Sequence, residues 1–425
     1  MNKYIGPDNI LKKKNEFMYP NSHHFYKDPP QMVKGYMQYL YDHTGKEYLD
    51  FFAGVSVINC GHCNPYILEG TIKQLSTLQH TTNIYLTEPI VNLAEKLAGV
   101  FPGNIDTSFF CLSGSEANEG AMILARLHTN KEKFIFFNGG LHGRTFLTTA
   151  VTGVDMWRID PFYNDAYIRC NNHMLDKELT TEDAAKLNLN SIKDILEKYA
   201  HEIAALIVEP IQGNAGIITP PLWYFKELKE LLKSYDVLMI VDEVQTGFAR
   251  TGKMFAIENF DTVPDIITCA KALGNGIPIS AFASSSELAK SFTKPSASTL
   301  GGNPVASATA IKVLEYIENE DLIANSYELG AYLKEKLEFL RSKFSFIHEV
   351  RGLGLMLGME IVQDGKACPD LVDMILEQMM KLGFIIGKNG INRNVLAFQP
   401  PLVINRKNID DMTESLEKVF KSIIV

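Results

Sequence analysis

The sequence has little sulfur to cross-link it: six cysteines among 425 residues are too few for a disulfide framework and fit a reducing compartment. No apolar run approaches the roughly 18 residues of a membrane span. The opening stretch MNKYIGPDNILKKKNEFMYP carries lysines with no apolar segment of a signal peptide behind them, so a cytoplasmic location is expected. Positive charge is also short. Lys and Arg number 41 against 50 Asp and Glu, a formal charge of −9, which offers no basic face to nucleic acid or to an anionic membrane. A GxxxxGK[ST] loop is missing, so the acidic strand end LMIVDE has no phosphate cradle that would make it part of an ATPase. Internal repeats and low-complexity linkers are absent too. One CxxC, Cys60 and Cys63 in NCGHCNP, has the spelling of a dithiol oxidoreductase site. It lacks both a second CxxC for zinc and the surrounding unit of about a hundred residues that the redox fold needs.

The residues present describe an ordinary globular protein, 46% hydrophobic and 21% charged, long enough for two or three domains. Its partners are expected to be small molecules and other protein subunits. Between residues 107 and 285 apolar runs alternate with helical patterns. The runs are TSFFCLS (107–113), KFIFFNG (133–139), AALIVEP (204–210), VLMIVDEV (237–244), DIITCAK (265–271) and ISAFASS (279–285). Between them lie EANEGAMILARLH (116–128) and LWYFKELKELLKSY (222–235), the latter with apolar spacings of three and four. Continuous apolar strands joined by helices imply a mostly parallel sheet covered on both faces. After TLGGNPVASATAIKVLEYIENEDL the pattern changes to charged helices and short strands such as LGLMLGMEIV (353–362). This divides the chain into an N-terminal segment (1–55) that packs with another part, a large α/β domain (56–324) and a smaller C-terminal α+β domain (325–425).

Open parallel sheets bind ligands outside the carboxyl ends of their strands, so the polar residues there carry the chemistry. The 204–208 run ends in Glu209, 237–241 in Asp242 and Gln245, and 265–270 in Lys271, while 107–112 ends in SGSEAN, a glycine and serine turn opening a helix. Taken alone, Lys271 reads as an amine escaping from a strand end to water. Together the four ends make a set. A helix start with Gly114 and Ser115 offers amides and a positive dipole end to a phosphate. A desolvated lysine can form a Schiff base with an aldehyde. A carboxylate can hold a pyridine nitrogen protonated. Those are the needs of pyridoxal 5′-phosphate.

The ordered motifs SGSEANEGA, LHGRT, EPIQGNAG, VDEVQTGFARTG, AKALGNGIP and TLGGNP resemble the class III (omega) aminotransferases of fold type I. The likeness runs over nearly the whole chain. It implies a large domain around a mostly parallel sheet and a small α+β domain built from both termini. It also implies that Lys271 is the Schiff-base lysine and proton shuttle, that Asp242 sits on the pyridine nitrogen with Glu209 in support, and that Gln245 lies near the ring hydroxyl. Gly114 and Ser115 would meet the phosphate, His142 would belong to the cofactor site, and Thr299 would reach the phosphate of a partner subunit. A homodimer with shared active sites, or a tetramer, is expected.

Three departures bear on substrate. Leu141 stands where the family commonly stacks an aromatic ring on the cofactor, losing a stacking gain of about 0.5–1.5 kcal/mol. Ala397 in NVLAFQPPLVI stands where relatives that use 2-oxoglutarate carry an arginine for the α-carboxylate, and Asn214 replaces the glutamate that pairs with it. Bidentate arginine is the natural carboxylate clamp, so its loss disfavours 2-oxoglutarate. Arg144 remains for a carboxylate or sulfonate at the far end of a substrate, and Arg393 is a possible substitute near the lost position. Val55, Tyr85 and Tyr19 are candidates for setting pocket size. The likeness is strongest to the alanine-glyoxylate and omega-amino acid-pyruvate branch. The expected reaction moves an amino group from an omega-amino acid or amine, of β-alanine, 4-aminobutyrate or taurine type, to pyruvate or glyoxylate. The alternatives are a racemase, epimerase or phospho-lyase of the same fold, or a 2-oxoglutarate-dependent 4-aminobutyrate or acetylornithine type aminotransferase.

Overall fold

The structure is a computed structural model that describes residues 4–21, 24–160 and 165–423. A helix, Pro7–Phe17, precedes three short strands: β1 (Met32–Tyr36), β2 (Tyr39–Asp42) and β3 (Glu47–Phe51). Seven follow: β4 (Thr107–Cys111), β5 (Lys133–Phe137), β6 (Tyr167–Cys170), β7 (Ile203–Val208), β8 (Leu238–Asp242), β9 (Ile266–Cys269) and β10 (Ser280–Ser284). The last five are β11 (Ile347–Leu353), β12 (Met356–Gln363), β13 (Lys366–Ala367), β14 (Phe384–Asn389) and β15 (Val395–Phe398).

Among the described residues these strands form two sheets. The first has the order β4-β10-β9-β8-β7-β5-β6. All six apolar runs of the 107–285 region are strands in it, and β7 is buried at every position, as a strand covered on both faces must be. The short strand β6 was not expected, because YIRC is interrupted by an arginine and lacks a run. The pairs among β6, β5, β7, β8 and β9 are parallel. β10 opposes both its neighbours, since the connection over residues 270–279 is too short for the crossover that a parallel partner requires. β4 pairs antiparallel with β10, which returns it to the common direction. The ends of β4, β5, β7, β8 and β9 therefore open on one edge.

The second sheet has the order β1-β2-β3-β14-β15-β12-β11, with β13 on β12. β3 lies parallel to β14, Leu49 opposite Phe384, so the start and the end of the chain share a sheet. The two sheets share one apolar core that runs from Leu49 to Phe420. Helix Gly114–Thr129 lies close against the first sheet: a Cβ at Gly120 would meet the Phe282 ring at 2.4 Å. Only glycine permits that approach, and it holds the N-terminus of the helix at the strand ends.

Candidate active site

The shared edge borders a cavity of about 450 Å³, within the usual range for small-molecule sites. Its floor is built from the strand ends. β9 stops at Cys269, and Lys271 opens a short 3-10 turn with φ +44°. The left-handed backbone takes the lysine off the strand direction and onto the cavity wall. Closely packed protein strips water from the ammonium and lowers its pKa, opposed by the charges of Asp242 and Glu209. Among the described residues none hydrogen-bonds its amine, so Lys271 is a desolvated amine that presents itself to the cavity.

Asp242 ends β8 and is buried. Its Oδ1 accepts the Val244 amide at 3.0 Å. Its Oδ2 accepts Asn118 Nδ2 at 2.7 Å and lies 2.8 Å from His142 Nδ1. Asn118 also donates to the His142 carbonyl at 2.7 Å, and its own carbonyl accepts the Thr268 hydroxyl. Every polar atom of that amide has a partner, which fixes its orientation and that of the carboxylate. Glu209 follows β7, its Oε1 accepting the Leu141 amide at 2.8 Å and its Oε2 the Gly213 amide at 3.1 Å. Burial pushes its pKa up to about 7 despite His142 and these two donors.

Above the floor, Ser113 caps helix Gly114–Thr129 by accepting the Glu116 amide at 3.2 Å, and Gly114 and Ser115 form its first turn on the cavity wall. The Ser115 hydroxyl accepts the Arg144 amide at 3.1 Å. Gln245 lines the same space, and both polar atoms of its carboxamide are buried with no partner. Buried amides are normally satisfied, so this one is aimed at a polar group of a ligand. A Cβ on Gly213 would stand 1.4 Å from Gln245 Oε1; the loop after Glu209 is glycine there because the amide fills the space.

The structure thus brings Gly114, Ser115, Leu141, His142, Arg144, Glu209, Asp242, Gln245 and Lys271 to one cavity, with Asn214 beside them. It leaves others out. Val55 sits in a left-handed turn, at φ +67°, and Val57, two residues on, lines the cavity in its place. Tyr19 and Tyr85 are 86% and 68% exposed away from the lining, and Thr299 is exposed as well. Arg393 does not replace the missing arginine: its guanidinium lies over the Phe25 ring at 5.2 Å and donates to the Lys388 carbonyl at 3.0 Å. Ala397 is fully buried among Ile211, Ile217 and Met356. Cys60 is wholly buried and Cys63 exposed; desolvation raises the Cys60 thiol far above its usual range, which removes the thiolate that a dithiol site needs.

Sequence reasoning missed Asn118 and Trp157. Asn118 lies within SGSEAN four residues after Gly114, one helical turn into the helix and so on the face above the phosphate end; that spacing is a signal. Trp157 lines the cavity from a single 3-10 turn, Asp155–Trp157, too short for any periodicity to mark it.

The sequence pattern of the family described as "Aminotransferase class-III" matches residues 22–420. An "Alanine--glyoxylate aminotransferase 2 homolog 2, mitochondrial" from Arabidopsis thaliana is 39% identical over 97% of this chain and 88% of its own. An "Acetylornithine aminotransferase" from Methanocaldococcus jannaschii is 38% identical over 93% of this chain and 94% of its own. Among solved structures, a Bacillus anthracis aminotransferase superposes with a TM-score of 0.90 at 31% identity, over 98% of each chain.

Proposed function

Because the chain belongs to the class-III aminotransferases, enzymes that work with pyridoxal 5′-phosphate, we propose that it transfers an amino group from an omega-amino acid or amine to pyruvate or glyoxylate. The observation that carries the reading is the meeting of the desolvated Lys271, the buried Asp242 and the Gly114–Ser115 helix start in one cavity. The residues present fit the cofactor: an orphan amide at Gln245 for the ring hydroxyl, a carboxylate for the ring nitrogen, a helix N-terminus for the phosphate and Leu141 for the ring face. When bound, pyridoxal phosphate supplies an electron-poor ring that takes up the electron pair left on the donor carbon.

The protein's part is proton handling and placement. Lys271, whose pKa burial lowers, is the residue that would hold the cofactor covalently through Nζ, and that Nζ, once freed, would carry the proton between donor and cofactor. Asp242, held by Asn118 and the Val244 amide, is the carboxylate that would hold the ring nitrogen protonated. Glu209 accepts the Leu141 and Gly213 amides and so ties the loop after β5 to the loop after β7.

Asn214 and Ala397 support an acceptor other than 2-oxoglutarate, since neither supplies the charge pair that would hold and release a second carboxylate. The Arabidopsis relative, named for alanine and glyoxylate, points the same way. A homodimer is part of the proposal. Ile84, Tyr85 and Leu86 are exposed in succession, at 84%, 68% and 102%, and Asn83 beside them bonds the Ser298 carbonyl at 3.3 Å. This apolar surface and the turn carrying Thr299 are one face, which a second copy would cover, bringing Thr299 of one subunit to the phosphate of the other.

The test is a panel of donors and oxo acids scored by absorbance of the bound cofactor. A donor alone should convert the cofactor once and stop, and pyruvate or glyoxylate should restore it. Continued turnover with donor alone would indicate a racemase or lyase, and a clear preference for 2-oxoglutarate would overturn the acceptor.

A further inference from the structure

The cavity has a charge axis. Its floor holds two carboxylates, Glu209 and Asp242. Apart from Lys271 and His142, its remaining titratable lining group is Arg144, whose guanidinium is exposed and paired with no described residue. Between them the walls are apolar: Val57, Leu141, Trp157 and Ile277. A donor that places its amine at Lys271 and a carboxylate next to that amine would set the anion near the floor carboxylate of Asp242, with no lining arginine but Arg144 to offset it. A donor with its anion at the opposite end meets Arg144.

Trp157 is built into this arrangement. It is 46% exposed, and its indole N–H has no partner among the described residues, yet its turn is held from several sides. The Trp157 amide donates to the Val154 carbonyl at 2.9 Å, Gly153 N to Gly140 O at 2.7 Å, and Gly139 N to Gly153 O at 3.1 Å. Arg169 adds an ion pair to Asp155 at 2.9 Å and a hydrogen bond to the Gly153 carbonyl at 2.8 Å. A Cβ on Gly153 would stand 2.1 Å from the Phe137 carbonyl, so this turn is locked to the end of β5. A large apolar ring on an anchored turn, lining the same cavity as the unpaired Arg144 cation, is a recognition surface for an apolar body that ends in an anion.

We propose that Trp157 determines donor specificity, selecting primary amines in which an extended aliphatic or aromatic body separates the amine from a terminal carboxylate or sulfonate, over short donors such as β-alanine. The inference rests on the aminotransferase reading and narrows its donor.

The experiment uses purified holoenzyme without acceptor and follows conversion of the cofactor by 4-(aminomethyl)benzoate, 6-aminohexanoate and β-alanine. The wild type should half-saturate at the lowest concentration with 4-(aminomethyl)benzoate. Trp157→Ala should raise that concentration roughly tenfold more for the two long donors than for β-alanine. Trp157→Phe should keep most of the wild-type preference. Equal changes for all three donors, or none, overturn the role of Trp157 while leaving the activity in place. Failure of the wild type to convert with any amine overturns both.

Discussion

His142 Nδ1 and Asp242 Oδ2 stand 2.8 Å apart, both buried, with Asn118 Nδ2 on the same oxygen. The carboxylate end that does not take the Val244 amide is thus held by two side chains, one from the helix and one from the loop after β5. The orientation of Asp242 is a property of three elements together, and each can be altered separately.

Lys271→Ala should abolish transamination and leave the bound cofactor resistant to covalent trapping by borohydride. The left-handed φ of +44° at this position is disfavoured for alanine by only about 1–2 kcal/mol, so the variant should fold and its loss can be read as chemical. Turnover comparable to wild type would remove Lys271 from its role.

Asn118→Ala removes the donor to Asp242 and to the His142 carbonyl and strands the Thr268 hydroxyl. Hydrogen bonds to charged groups contribute about 1.5–3 kcal/mol, so kcat should fall by about one to two orders of magnitude. The comparison is with Asn118→Asp, which faces Asp242 with a second carboxyl and should fall further. Wild-type rates in both variants would show that Asp242 is oriented without it.

Glu209 has its pKa raised to about 7 in the folded protein from an ordinary value near 4.5. Its neutral form is therefore the one favoured by folding, and its contribution is full below pH 4.5 and is lost as pH rises through 7. Glu209→Gln cannot ionise. Thermal melts at intervals from pH 4.5 to 8 should show the wild type losing about 1–3 kcal/mol more than the variant over that window; parallel curves would refute the assignment. Glu243 shifts in the same direction and is present in both proteins, so it cancels in the difference.

Gly213→Ala forces the Gln245 carboxamide to move, because the new methyl would overlap its oxygen. The cofactor dissociation constant, measured by fluorescence titration, should rise about tenfold or more for loss of one well-placed hydrogen bond. An unchanged constant would mean that Gln245 does not contact the cofactor.

Native protein treated with a thiol-titrating reagent should react at Cys63, which is exposed, and spare Cys60 until it is denatured. Cys63→Ser should transaminate at the wild-type rate. Loss of activity in that variant would reopen a thiol role.

The first sheet was legible because its strands are buried on both faces and so read as unbroken apolar runs; β7 is the extreme case. β6 was not, since an edge strand needs no such run. The floor residues could be found because a strand end is a fixed address, and Glu209, Asp242 and Lys271 each follow a run directly. Residues on irregular segments had no address. Val57 rather than Val55 lines the cavity because four successive left-handed residues, Ala53 to Ser56, turn the chain in a way that no two-residue alternation foretells. Arg393 was near the vacant arginine position in sequence, but the turn over Gly390 to Asn394 swings it onto Phe25. Thr299 and Tyr85 lie outside the cavity of one chain, and nothing in their local sequence marks that.

The segment between β5 and β6 carries Arg144 and Trp157, while β8, the turn after β9 and helix Gly114–Thr129 carry Asp242, Lys271 and the Gly114–Ser115 turn. The two sets are anchored to different parts of one sheet. If Trp157 selects the donor as proposed, directed replacement within residues 144–160 would re-address the enzyme to a new amine while leaving Asp242 and Lys271 in place.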